Sequence, residues 1–583
     1  MKQFFKFVFA TMLGIFLITV LFILVVVGII VVASGDKTVD VSSNSVLRIA
    51  LNTPIAERTP NNEIASLFGL DEKNIGLNDI LANIKKAKTD SHIKGIFLDE
   101  SYMLSGQATT EEIRNALIDF KKSGKFVVAY AEIYTQSFYY LASVADKVYI
   151  NPKGIFEFNG FSSDVTFLKG GLDKLGIDMQ VIKVGTYKSA VEPYFLTKMS
   201  PANREQVTSY LGSMYDHFLT NISKSRKVSV DSLRNIANNM LIQTPEDAAK
   251  YHLVDGVKYK DELLDELRDR TGISEKKEIK SIDIAKYTKA SGDDSDTSSN
   301  SRIAIVYASG EIAGGDGDDN SIGSEKISKT LRKVRMDDKV KAVVLRVNSP
   351  GGSSLASDVI WREVVLTKKV KPIIVSMGDL AASGGYYISC AADSIYAEPN
   401  TITGSIGIFA VLPNMQKFFN DKLGITFDGV KTGKFADLGN ISRPLTPEEK
   451  AILQTQVNRG YDEFTKAVAQ GRHKTQAYIN SIGQGRVWTG EQAVSKGLVD
   501  KLGNINDAIA SAAKKAKVKE YRVVAYPEQE SGLKALTHGM SAQVRTSMLK
   551  SELGDNYKYY NQIKEVSQLS GMQMRLPYEV VVK

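Results

Sequence analysis

The sequence predicts an α/β protein made of two tandem repeats behind an amino-terminal transmembrane helix. Three observations carry this expectation: a long uncharged run near the start, segments that recur in the same order in both halves, and short β-branched runs alternating with segments of helical period. With 583 residues, 43% hydrophobic and 24% charged, the composition is that of a folded chain with more than one core, which excludes general disorder and fibrous repeats.

The uncharged run occupies residues 7–33, after a cytosolic amino terminus of residues 1–6. As a helix it rises about 40 Å, more than the roughly 30 Å hydrocarbon core, and so crosses a bilayer with tilt. A cleaved signal peptide has an apolar region of only about 7–15 residues, so an uncleaved anchor in membrane lipid is expected, even though the small residues Ala33, Ser34 and Gly35 close the run. Lys2 and Lys6 precede it and no acid occurs before Asp36, a bias that keeps the amino terminus cytosolic and exports the rest.

The repeat comes next. ADKVYINP from Ala145 matches ADSIYAEP from Ala392, and the same offset aligns Tyr139 and Tyr140 with Tyr386 and Tyr387. DKLGI at Asp173 recurs at Asp421, TPEDAAKYHLVDG from Thr244 resembles TGEQAVSKGLVDK from Thr489, and IKGIFLD from Ile93 parallels VKAVVLR from Val340. The two repeats run over residues 46–287 and 302–527. Between them, residues 288–301 are rich in Ser and Asp and read as a linker. Residues 528–583 form an extension with no counterpart. In the second repeat RIAIVYA, VKAVVLRV and KPIIVSM read as strands, while KISKTLRKVRMDD and ASDVIWREVVLTKK read as helices. Nearly continuous apolar strands separated by helices indicate a parallel sheet covered on both faces.

Two glycine-containing turns follow the strands of the second repeat: NSPGG, 348–352, and DLAASGGYY, 379–387. The second puts Ser383 at a helix start, where unpaired N–H groups favour a developing oxyanion, and Gly384 allows close backbone approach. Gly351 and Gly352 can aim a second amide at the same oxygen. Ser383 is thus a candidate nucleophile beside a two-amide oxyanion hole, although a Ser-Gly-Gly at a helix start also serves as a cap or a packing contact. A serine needs a base. Of the five histidines, His92, His217, His252, His473 and His538, none lies in the interval that holds both turns, although the fold can still bring one in. The repeat suggests another base. KVGTYKSAVEPY places Lys188 after a β-like run, and the second repeat has Ala436 there; conversely, Gln136 stands in the first repeat where the second has Ser383. One copy keeps the lysine and the other the serine, so a single composite site is expected between them.

GTYKSAVEPY around Lys188, NSPGGS around Gly352, AASGGYY around Ser383 and TGSIGI around Ser405 together resemble the signal peptide peptidase A family, also called protease IV, in its long duplicated form. The resemblance implies a ClpP/crotonase-like fold and a serine peptidase with a Ser-Lys dyad that degrades remnant signal peptides and other short apolar peptides at the bacterial inner membrane, its catalytic part on the periplasmic side. It implies Ser383 as nucleophile, Lys188 as general base, the amides of Gly352 and Gly384 as oxyanion hole, Ser405 as the hydroxyl that orients the lysine, and a tetrameric homo-oligomer. A free lysine has pKa about 10.4 and is protonated at neutral pH; burial between the repeats would lower it.

Two other functions compete: a crotonase-type acyl-CoA enzyme, disfavoured by export away from CoA, and a non-catalytic scaffold, disfavoured by the complementary losses. No HExxH, CxxC or phosphate-loop motif occurs, and the only cysteine, Cys390, is expected in the core. GGDGDDNSIG from Gly314 departs from a calcium loop at Ser321 and Ile327 and reads as a mobile loop near the site. No metal, cofactor or nucleic-acid partner is expected; a net charge of +8 is too dilute for a nucleic-acid footprint.

Overall fold

The computed structural model describes residues 2–33, 39–60, 74–99, 102–274, 277–290, 299–317, 321–529 and 572–576. Residues 291–298 of the expected linker, His538, and all of the extension except 528–529 and 572–576 lie outside them.

The uncharged run is one helix, Lys2–Ala33, and its segment Gln3–Phe22 has a mean hydropathy of 2.3 with nothing packed over it. Its two threonines return their hydroxyls to the preceding turn, Thr11 to the Phe7 carbonyl and Thr19 to the Ile15 carbonyl, which leaves no unpaired hydroxyl donor on an apolar cylinder.

Each repeat then builds its own sheet with the same strand order. In the first the order is Gly256–Val257, Lys147–Phe156, Phe126–Tyr134, Ile93–Leu98, Ser45–Ile49 and Ser281–Asp283, all parallel. In the second, Lys501–Leu502, Ser394–Ala397, Ile373–Ala382, Val340–Ser349, Arg302–Ser309 and Arg522–Tyr526 repeat that order, again parallel. The central strands are apolar throughout because both faces are covered. Along Arg302–Ser309, Ile303, Ile305 and Tyr307 join the core that contains the first sheet, whereas Ala304, Val306 and Ala308 join the core under the helices of the second repeat. The period of two thus gives the repeats a shared apolar layer.

The second sheet departs from the expected turns in one respect. The strand expected to end near Met377 continues to Ala382, because Leu380–Ala382 find a further parallel partner in Ile402–Gly404 and the hydroxyls of Thr401 and Thr403 cap the carbonyls of Gly378 and Ala381. Gly351–Ser353, expected as part of a turn, is likewise a short strand.

That strand belongs to a third sheet, assembled from both repeats. Its order is Ser321–Gly323, Glu311–Ala313, Gly351–Ser353, Met572–Arg575, Ile408–Asn414 and Asp178–Val184. Asp178–Val184, from the first repeat, pairs antiparallel along seven residues with Ile408–Asn414 of the second. The chain segment leading to Lys188 is therefore held in the second repeat by a full ladder. A buried ion-pair cluster adds to the seam. Arg346 is fully buried, its Nε 2.8 Å from Glu57 Oε2 and its Nη2 2.6 Å from Glu112 Oε1, both carboxylates coming from the first repeat.

Candidate active site

Ser383 follows the last residue of the strand Ile373–Ala382 and precedes the short helix Gly384–Ser389. Its backbone is left-handed, φ 56°, a conformation that a side-chain-bearing residue adopts only where its surroundings enforce it. Two backbone bonds enforce it here: the Ser383 amide donates to the Gly404 carbonyl at 2.8 Å, and its carbonyl accepts from the Tyr387 amide at 2.8 Å. The hydroxyl does not cap the helix. It points instead at Lys188, whose Nζ lies 2.9 Å from Ser383 Oγ.

Lys188 sits just beyond the strand Asp178–Val184, at the entry to the single 3-10 turn Ser189–Val191. Its Nζ also reaches Ser405 Oγ at 3.1 Å and the Ser405 carbonyl at 3.3 Å. The amine is fully buried, and burial pulls its pKa down to about 7 from the ordinary lysine value of 10.5. Ser405 is itself left-handed, φ 50°, with its amide donated to the Arg486 carbonyl at 2.7 Å.

The glycine strand lies beside the serine turn. A Cβ on Gly351, φ 101°, would fall 2.8 Å from the Gly384 amide nitrogen and 1.9 Å from the Met574 carbonyl oxygen. A Cβ on Gly352 would fall 2.1 Å from the Ile312 carbonyl oxygen. Only glycines allow the two backbones to approach this closely. The Gly351 amide is already donated to Ser349 Oγ at 3.1 Å, which leaves Gly352 and Gly384 as the candidate pair of oxyanion amides. Asn348 laces the loop in place: its Oδ1 accepts from the Leu380 amide at 3.0 Å and its Nδ2 donates to Glu57 at 2.8 Å.

Several residues that the sequence did not single out hold this arrangement. Gly485, φ 79°, lies against the backbone of Lys188, where a Cβ would stand 2.6 Å from the lysine's own Cα. Gln206, buried on the helix Pro201–Arg226, donates to the Tyr187 carbonyl at 3.0 Å and to Ser189 Oγ at 2.8 Å, the two neighbours of Lys188. Its Oε1 accepts from the Val487 amide at 3.2 Å, on the strand that pairs with Gly404. One amide thereby fixes the lysine loop to the backbone beside Ser405. No sequence motif marks either residue; the signal is their close approach to Lys188, which exists only in the fold.

Two of the histidines are engaged elsewhere: His92 with Asp90, and His217 with Glu111 and Asn221. Cys390 is buried, its Sγ 3.1 Å from the Tyr387 carbonyl, and burial pushes its thiol up to about 12. Ile327, at the acid position of a calcium loop, is buried on the helix Ser324–Met336. Chemically, a buried amine of lowered pKa against a serine hydroxyl can activate the oxygen, and the backbone amides of the neighbouring glycine strand and helix start are the groups at hand to receive a negative charge beside it.

A family model described as Peptidase family S49 matches residues 119–274 and again 366–519, one match in each repeat. Protease 4 of Salmonella typhi is 38% identical over 494 residues, covering 83% of this chain and 79% of that protein. Protease 4 of Haemophilus influenzae is 35% identical, covering 84% and 82%. Serine protease SPPA, chloroplastic, of Arabidopsis thaliana is 32% identical, covering 86% and 74%. Among solved structures, a point mutant of ClpP1 from Listeria monocytogenes superposes with a TM-score of 0.24 at 17% identity over 35% of this chain and 94% of that one, a likeness too slight to build on.

Proposed function

The chain belongs to peptidase family S49 and is a serine peptidase, and on that premise we propose that it hydrolyses short apolar peptides, remnant signal peptides among them, with a Ser383–Lys188 dyad at the seam of its two repeats. The observation that carries this reading is the buried Lys188 amine, 2.9 Å from Ser383 Oγ and with a pKa of about 7. At neutral pH about half of such amines are free to accept a proton, against roughly one in 10³ for a solvated lysine.

Lys188 Nζ takes the proton from Ser383 Oγ as the oxygen attacks the scissile carbonyl. The carbonyl oxygen becomes an oxyanion held by the Gly352 and Gly384 amides. The resulting ammonium is held by Ser405 Oγ and the Ser405 carbonyl, and it then protonates the leaving amine. Water, deprotonated by the same lysine, releases the acyl group and restores the serine. A fluorophosphonate probe tests the roles: labelling of the purified protein disappears in Ser383→Ala and falls steeply in Lys188→Ala, and labelling that persists in Ser383→Ala overturns the assignment.

The helix Lys2–Ala33 serves as an inner-membrane anchor, with Lys2 and Lys6 retained in the cytosol and the catalytic part exported. Protease added to spheroplasts should then digest the catalytic part, and full protection would reverse the topology.

The assembly is a homo-oligomer in which a second copy completes an arm of the second repeat. In the first repeat, Asp178–Val184 of the arm 177–188 run along Ile408–Asn414, with Met179 and Ile182 buried. Their counterparts in the second repeat, residues 425–436, have no strand partner among the described residues and leave Phe427 56% and Val430 101% exposed. The stretch in the first repeat corresponding to Ile408–Asn414, residues 161–167, also has no strand partner among the described residues. The two elements are not paired with each other among the described residues, and successive copies would bring them together.

A further inference from the structure

Ser383 and Lys188 are both shut away from solvent, although a peptidase must present its nucleophile to a substrate. Beside the Ser383 turn lies a segment of the carboxyl-terminal extension, residues 572–576, whose Met574 carbonyl oxygen is 3.2 Å from where a Cβ on Gly384 would be. This segment enters the third sheet between Gly351–Ser353 and Ile408–Asn414, antiparallel to both. Without it those two strands would face each other across a gap one strand wide, each with an open edge. Such a gap is what an extended peptide substrate would fill by backbone pairing.

The segment fills that gap in the manner of a substrate. Gly351 pairs with Arg575, Gly352 with Met574 and Ser353 with Gln573. The Leu576 amide donates to the Pro350 carbonyl at 2.8 Å, continuing the ladder past the glycines. The Met574 carbonyl oxygen lies 1.9 Å from where a Cβ on Gly351 would be and 3.2 Å from where one on Gly384 would be, so it sits over both glycine turns. Of its three apolar side chains, Met574 and Leu576 are buried and Met572 is half-buried. Met574 joins the core of the second repeat, and Leu576 packs with Tyr210 and Met214 of the first repeat and Ala382, Ile402 and Val487 of the second. Outside the ladder, Arg575 is held by Glu311 at 3.2 Å.

We infer that the carboxyl-terminal segment 572–576 is a built-in, substrate-like plug that occupies the peptide groove and must leave before a substrate can bind. The inference rests on the dyad reading for what the groove does, but the occupancy stands on the strand pairing. It also describes the acceptable substrate: an extended chain with apolar side chains at the Met574 and Leu576 positions, the second pocket being lined by both repeats.

Two measurements on the full-length chain test it. In a Ser383→Ala background, a fluorescent peptide of the sequence GMQMRLPY, residues 571–578, is titrated against the chain with its own tail intact and against one carrying Met574→Glu and Leu576→Glu. The altered tail cannot keep two charges in apolar pockets, so the peptide should bind that chain at least tenfold more tightly. With Ser383 present, fluorophosphonate labelling should be at least tenfold faster in the altered chain. The milder Met574→Ala should give smaller changes in the same direction, which guards against a double variant that merely misfolds. Equal peptide affinity and equal labelling rates for intact and altered tails would overturn the plug while leaving the dyad standing. A persistent difference in peptide affinity with no labelling of Ser383 in any chain would support the plug and overturn the dyad.

Discussion

The arm that carries Lys188 and its counterpart in the second repeat follow the same DKLGI segment and end in opposite situations. Within residues 177–188, Asp178–Val184 are laddered to the other repeat, with Met179 and Ile182 buried and the lysine driven into the interior. Residues 425–436 lie on the surface, with Ala436 in the lysine's place and Phe427 and Val430 bare. The serine turn shows the converse. Gln136, equivalent to Ser383, follows a conventional N-cap, Thr135, whose side chain accepts from the Phe138 amide, and its own amide group ties down Asn159 and Gly160. At Ser383 the residue before is Ala382, whose methyl group cannot cap, and the serine hydroxyl does not cap either but meets Lys188 Nζ at 2.9 Å. Duplication supplies two scaffolds; a single composite site needs one arm and one turn, and the other arm leaves its apolar Phe427 and Val430 exposed.

The sharpest way to break this asymmetry is to remove either half of the dyad. Ser383→Ala and Lys188→Ala should each lower kcat/KM by on the order of 10⁴ or more with an unchanged melting profile, and Lys188→Arg should not rescue, because guanidinium stays protonated. The two arms should next separate by assembly. Phe427→Asp with Val430→Asp should shift the protein to smaller species in sedimentation, whereas Met179→Asp, on the arm closed within one chain, should abolish activity through misplacement of Lys188. Gln206→Leu should lower kcat by roughly 10- to 100-fold with little change in KM, since it loosens the lysine loop without touching the peptide groove; its pH–rate midpoint should rise as water reaches the amine. The smallest effect is on the wild-type pH profile. In the proposed dyad the active form is the free amine, so the rate should fall about tenfold per unit below a midpoint near 7 and level off above it. Replacing His92, His217, His252, His473 and His538 together should leave that limb in place; its loss would point to an imidazole base.

The parts of the site legible in the sequence are those whose chemistry is local. Ser383, Gly384 and the 351–352 pair announce themselves by glycine spacing after apolar strands, and Lys188 by its absence from the second copy. What stays hidden depends on contact between distant segments. Gly485 is a loop glycine like many others until the Lys188 backbone is laid on it, and Gln206 is one polar residue on a helix of mixed faces until its amide meets Tyr187 and Val487. The strand end at Ala382 escapes a local reading because its last residues gain their ladder from Ile402–Gly404, twenty residues on, and not from their own propensity. Met572–Arg575 has no echo in the repeat, so self-comparison could not reach it.

The left-handed backbone at Ser383 means that this protein keeps its proposed nucleophile at a conformational cost of about 1–3 kcal/mol, which the surrounding ladder must outweigh. Stability and activity are therefore opposed at this one position. Ser383→Gly, which accepts a positive φ without strain, should raise Tm even as it ends turnover, so selection for heat resistance alone would drift toward losing the enzyme.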